Sequence, residues 1–281
     1  MDLHRAGARA RADSRGRRGA EAEVRPEDGS GRARPGRPHP QHPRVSRRFP
    51  LVLCYHAVTA SWPSALAVER ETLLRQVRSL LARGYEPVGA EQLLRSPANA
   101  LHVTFDDAFR GILAVLPALE ELGAGVTVFA CSDFADGGRP LDVPELAAEA
   151  AAHPNDLATL TWAELRELAE TGVEIGSHTV SHPHLTRLGD EELGRELRES
   201  RERIEAEVGR PCRLLSYPFG EHDPRVRQAA KRTGYEAAFL VRARGGRRDE
   251  YALPRVSVYS GDGPLRLRAK TSRFMRALPR R

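Results

Sequence analysis

Seven short apolar runs, separated by stretches with helical spacing, dominate the chain from Leu51 onward and constrain its fold more than any other feature. They lie at 51–55, 101–105, 126–130, 173–176, 213–217, 237–241 and 255–258. Each holds about five residues between polar, Gly or Pro punctuation, a length that suits a strand and not a buried helix. The intervening patterns predict helices over 72–81, 109–122, 161–170, 190–208 and 223–233, stopped by Gly84, Gly123, Gly172, Gly209 and Gly234. Thr161 followed by Glu164 is a capping box. The 190–208 segment is densely charged, with a sparse apolar stripe of Leu193, Leu197, Ile204 and Val208, as on a solvated outer helix with one buried face. Strand–helix alternation of this kind implies parallel strands joined by right-handed crossovers. The count favours a single-domain α/β barrel of seven units, with an open doubly wound sheet as the alternative. In either fold the chemistry belongs at the C-terminal ends of the strands.

Composition narrows the class. Of 281 residues, 40% are hydrophobic and 29% charged, enough apolar material for a core without disulfide or metal staples. The net charge of +6 is misleading, because residues 1–49 hold 13 Arg against 6 acids and the remainder is almost neutral. The body therefore lacks the electrostatic footprint of a nucleic-acid partner. Residues 1–49, rich in Arg, Gly and Pro, are expected to be disordered, and 263–281 to form a basic C-terminal tail around a 50–262 domain. The first 49 residues lack the apolar stretch of a secretory signal, so a cytoplasmic location is expected. No run approaches the 18 or so apolar residues of a membrane span. Cys54, Cys131 and Cys212 stand singly and read as reduced thiols.

Polar residues follow the strands. The run at 101–105 leads into Asp106-Asp107. Neighbouring side chains of a strand point to opposite faces, but a turn at the strand end lets both carboxylates reach one pocket, one as a metal ligand and one as a free base. Capping of the next helix is the structural alternative. After the run at 173–176 come His178, His182 and His184. The four-residue spacing of His178 and His182 would put both rings on one side of a helical turn, and Asp107 could complete a metal-binding face. His184 reads as loop structure or support. The run at 213–217 ends in Ser216-Tyr217-Pro218-Phe219-Gly220, a fixed turn able to aim a backbone N–H at an oxyanion. The first and last strands contribute His56 and Arg255.

Thr104-Phe105-Asp106-Asp107, His178-x-x-x-His182 and Tyr217-Pro218-Phe219-Gly220, together with Tyr55-His56 and the Ala252-Leu253-Pro254-Arg255 close, resemble the polysaccharide deacetylases. These are the NodB-homology group of carbohydrate esterases, and the likeness is to their Tyr-Pro-Phe-Gly branch, over residues 51–260. The resemblance implies a distorted (β/α)7 barrel and a metal-dependent hydrolase that removes acetyl groups from N-acetylated sugars. It implies Asp106 as general base, Asp107, His178 and His182 as ligands of a divalent metal, zinc by default, and the Phe219 N–H in the oxyanion hole. The chain departs from the family pattern twice. Ser216 stands where many relatives have Arg, and no His follows His222, so the late Leu-x-His of the general acid is absent. In the Tyr-Pro-Phe-Gly branch the N-terminal strand carries a His that can occupy the same space, so this resemblance implies His56 as the general acid, with Arg255 expected to orient Asp106 in place of the missing Arg. The competing readings are a sugar-binding barrel without catalysis and an esterase acting on O-acetylated glycans. A metal peptidase is disfavoured because its His pair would enclose a Glu. Loops 132–142 and 153–159 are where substrate specificity would reside.

Overall fold

The computed structural model describes residues 49–241 and 249–272. In chain order they form β1 (Leu51–Tyr55), α1 (Arg70–Leu81), β2 (Glu86–Pro87), α2 (Ala90–Leu93), β3 (Ala100–Phe105), α3 (Leu116–Glu121) and β4 (Val126–Ala130). Then come α4 (Ala147–Ala152), α5 (Trp162–Glu170), β5 (Glu174–Ser177), α6 (Asp190–Val208), β6 (Leu214–Ser216) and α7 (Pro224–Thr233). The chain continues with β7 (Ala237–Leu240), β8 (Leu253–Pro254), β9 (Val256–Ser257) and α8 (Pro264–Thr271). Thr161 caps α5 in the expected box, and α6 ends at Gly209 in the left-handed conformation. No helix among the described residues is long and apolar enough to cross a membrane.

The strands run in the order β8-β7-β6-β5-β4-β3-β1-β9, every pairing parallel, while β2 pairs with β3 off this path. Only Arg255 separates β8 from β9. One segment therefore pairs with β7 through Leu253 and Pro254 and with β1 through Val256 and Ser257. This nearly closes a barrel of eight strands, of which the last two share one position, so the ring has the seven places expected.

The two-residue period of the strands sorts their side chains. Leu51, Leu53, Tyr55, Leu101, Val103 and Phe105 join the large cluster that also holds the buried faces of the helices. The opposite parity, with Val52, Phe129, Leu214, Phe239 and Leu253, forms a second cluster that fills the barrel interior. Gly176 is what admits Phe129, since a Cβ there would lie 2.6 Å from the ring and 2.9 Å from the Leu214 carbonyl oxygen. Continued upward, the same parity brings Cys54, His56, Thr104, Asp106, Ser216 and Arg255 to the C-terminal mouth.

Three expectations differ from the structure. The 109–122 stretch is not one helix: a 3-10 turn at Arg110–Ala114 precedes α3. Pro117, which has no N–H to continue the preceding turn, sits in the first turn of α3. Residues 263–272 are not a tail, because Gly263-Pro264 starts α8 and Leu267 and Thr271 are buried against the barrel. Phe49 belongs to the interior cluster. The expected disordered segment 1–48, and 273–281 of the expected tail, lie outside the described residues.

Candidate active site

Asp106 follows the last residue of β3, and its amide donates to the Tyr55 carbonyl at 2.9 Å, so the pairing of β1 and β3 fixes its backbone. Its carboxylate is almost wholly buried and meets Arg255 fork to fork, Nη1 to Oδ1 at 2.7 Å and Nη2 to Oδ2 at 2.6 Å. The Ser216 hydroxyl donates to Oδ2 at 3.1 Å, and the Cys54 thiol lies 3.5 Å from the same oxygen. Arg255 is held in turn by the Leu240 carbonyl and Thr104 Oγ1, above the rings of Phe129 and Phe239. Burial alone would hinder ionisation of Asp106, but the Arg255 charge, aided by His178, outweighs it and holds the carboxyl well below the usual carboxylate range.

At Asp107 the backbone turns left-handed, with φ of 68°, and Ala108 follows at 50°. This turn breaks the strand alternation and lets two successive carboxylates serve one pocket. Asp107 Oδ1 lies 3.4 Å from His178 Nε2 and 3.5 Å from His182 Nε2. His178 Nδ1 is 2.8 Å from the Ser216 carbonyl oxygen, which accepts its N–H and leaves the Nε2 lone pair directed at Asp107.

The two imidazoles do not converge through a helical turn, as the spacing implied. β5 ends at Ser177, and left-handed residues at Thr179 (φ 74°) and His182 (φ 61°) fold the connecting loop back. Its polar groups are anchored by α6. Glu196 accepts the N–H groups of Val180 and Ser181 and the Ser181 hydroxyl, while the Ser200 hydroxyl donates to the Thr179 carbonyl. Sequence reasoning missed Glu196 and Ser200. Their signal was two polar residues on the buried stripe of Leu193, Leu197 and Ile204.

The trio fits a divalent metal on its own chemistry. Asp107 Oδ1 is buried without a hydrogen-bond donor, and both facing nitrogens are of the ligating kind. Two buried carboxylates adjoin, yet only Asp106 has a guanidinium. Burial first, and the Asp106 charge second, push the Asp107 carboxyl well above the usual range. Burial also lowers His178 and His182, which favours the neutral imidazole that a metal requires. A cation held by this trio would supply the charge that the protein lacks there.

The remaining predicted residues gather around these. His56 is half-buried, and a ring nitrogen lies within 4.8 Å of both the Asp106 carboxylate and the Cys54 sulfur. Burial lowers its pKa to about 4, against the pull of Asp106. Phe219, left-handed at φ 59°, sets its ring edge-on to His182 with centroids 4.7 Å apart. All five left-handed non-glycine residues among those described lie in the three loops that carry Asp107, the His pair and Phe219. Such strain collects where function over-determines the backbone.

The model of the polysaccharide deacetylase family matches residues 94–238. The chain belongs to the polysaccharide deacetylase family. Within that family it is similar to YxkH of Bacillus subtilis (strain 168), a protein named after it, with 24% identity over 220 residues, 75% of this chain and 71% of YxkH. Among solved structures it resembles the Streptococcus pyogenes deacetylase PplD in complex with acetate, at a TM-score of 0.65 and 21% identity, over 80% of this chain and 98% of PplD. It also resembles a de-N-acetylase from Aggregatibacter actinomycetemcomitans, at a TM-score of 0.63 and 19% identity, over 78% of this chain and 98% of that one. At these identities the structural likenesses speak for the deacetylase fold, in agreement with the family resemblance carried by the three motifs.

Proposed function

We propose that this polysaccharide deacetylase is a metal-dependent hydrolase that removes acetyl groups from N-acetylated sugars. The observation that carries the reading is the donor-less Asp107 Oδ1 facing two imidazole nitrogens beside an ionised Asp106. Asp107, His178 and His182 would hold a divalent ion, with zinc the default for such a donor set. When bound, that ion supplies Lewis-acid polarisation of an acyl oxygen and a water of lowered pKa.

The residues of the chain do the rest. Asp106, kept ionised and fixed in orientation by Arg255, takes a proton from the attacking water as the new C–O bond forms. The Phe219 peptide N–H donates to the acyl oxygen as charge develops there. His56 passes a proton to the leaving nitrogen as the C–N bond breaks, giving acetate and a free amine. Burial keeps His56 neutral at the start of the cycle, and the proton it passes on is the one that Asp106 has taken from the water, handed over between the two neighbouring side chains.

Acetate release from N-acetylglucosamine oligomers, compared with release from an O-acetylated glycan at equal acetyl concentration, tests the amide reading. Faster turnover of the oligomers supports it. Turnover of the O-acetylated glycan alone would make the protein an esterase.

A further inference from the structure

We infer that His184 is a positioning residue that sets the Phe219 turn through ring stacking; this rests on the proposed role of the Phe219 peptide. His184 is not in the proposed metal-binding trio, and both of its ring nitrogens face carboxylates instead. Nδ1 is 3.0 Å from Glu221 Oε2 and Nε2 is 3.0 Å from Glu145 Oε1. The ring is thus braced between the loop before α4 and the loop before α7.

On the face of this braced ring lies Phe219. The two centroids are 4.0 Å apart and the planes differ by 11°, a stacked pair. Phe219 is one of two large apolar side chains exposed among the described residues, and its ring contacts are with His182 and His184. Its backbone nevertheless adopts φ 59°, ψ 1°, which disfavours a side-chain-bearing residue. Gly220 follows at φ 67°, where a Cβ would lie 2.8 Å from Val241 Cβ and 2.9 Å from its amide nitrogen. The turn is fixed on its far side by that close approach and on its near side by the His184 stack. Edge contact with His182 orients the same ring toward the trio. His184 thereby couples the placement of the Phe219 peptide to the loop that carries His178 and His182.

Stacking and bridging are separable by substitution. His184→Phe keeps a ring and loses both carboxylate partners, His184→Asn keeps hydrogen-bonding capacity and loses the ring, and His184→Ala loses both. In zinc-loaded protein carrying 15N-phenylalanine, the eight Phe residues of wild type give one amide signal each, nine in His184→Phe, and Phe219→Leu made in each background assigns the one of interest. The Phe219 amide is expected to shift or broaden in His184→Ala and His184→Asn and to stay in place in His184→Phe, with bound zinc unchanged in all three. Acetate release is expected to follow, with kcat down about 10- to 100-fold in the Ala and Asn variants, KM within about 3-fold, and kcat recovered in the Phe variant. An unmoved Phe219 amide in His184→Ala, recovery by Asn instead of Phe, or loss of zinc in His184→Ala would each overturn the inference. The amide signal reports on positioning even if wild type releases no acetate, a result that would count against the proposed function alone.

Discussion

Arg255 and Asp106, 149 residues apart in the chain, meet through two parallel hydrogen bonds of 2.7 and 2.6 Å inside the mouth of the barrel. The contact exists because the last strand segment closes the ring between β7 and β1 and points Arg255 inward. Arg255→Lys keeps the charge but not the fork. We expect kcat to fall about 10- to 100-fold, and the acid limb of the pH–rate profile to move to higher pH. The direction follows from the sign of the effect: Arg255 is what lowers the Asp106 pKa against burial, so weakening it lets the pKa rise. An acid limb that stays in place would separate Asp106 from the essential base.

Asp107→Asn should divide stability from function. In chelated protein the substitution removes a buried carboxyl that has no donor, and the new amide can donate to a facing imidazole. Thermal melts in chelator should show the variant as stable as wild type or more so, by roughly 1–2 kcal/mol. Added zinc should raise the melting temperature of wild type and leave the variant unmoved. A variant that melts lower in chelator would mean that Asp107 is a structural residue.

Glu196 is expected to act on metal affinity through the loop that it holds. Its carboxylate gathers two amides and a hydroxyl of Val180 and Ser181, between the two imidazoles. Glu196→Ala should weaken zinc binding about 10- to 100-fold, measured by competition with a chromophoric chelator. Unchanged affinity would show that the left-handed residues hold the loop unaided.

His102 gives the fold a pH dependence unrelated to the trio. It is buried at β3 with Nδ1 2.8 Å from the Val88 carbonyl and Nε2 2.8 Å from Thr127 Oγ1. Burial lowers its pKa to about 4 from 6.5, only partly offset by the Val88 hydrogen bond. The unfolded chain therefore takes up a proton that the folded one refuses. Stability is fully present above about pH 6.5 and is lost as pH falls toward 4, by up to about 3 kcal/mol. Urea unfolding at pH 7 and pH 4.5 should show the gap between wild type and His102→Gln narrowing at the lower pH. A constant gap would contradict this.

Much of this was legible in local patterns, for reasons that also explain the misses. Apolar runs marked β1 and β4 to the residue, because strands buried on both faces need uninterrupted apolar stretches. Asp190–Val208 was legible because its stripe is sparse and Gly209 ends it. The short β2, Glu86–Pro87, is exposed and carries no apolar signal. The residues of the site announced themselves by following strands, whereas their supports did not. Glu196 and Ser200 stand on a helix, and Cys54 meets Asp106 only once β1 and β3 are in register. The His178–His182 spacing anticipated two rings facing Asp107 but not the geometry that brings them there, since left-handed backbone at Thr179 and His182 has no counterpart in residue spacing.

Whether Asp106 and the trio together release acetate is decided by zinc-loaded protein acting on N-acetylglucosamine oligomers, beside a chelated sample and Asp106→Asn with its zinc content measured. Acetate is expected from the zinc-loaded wild type, none after chelation, and a loss of about 10²–10⁴-fold in Asp106→Asn with zinc retained. Acetate that persists in the chelated sample, or zinc lost along with activity in Asp106→Asn, would contradict the proposed function.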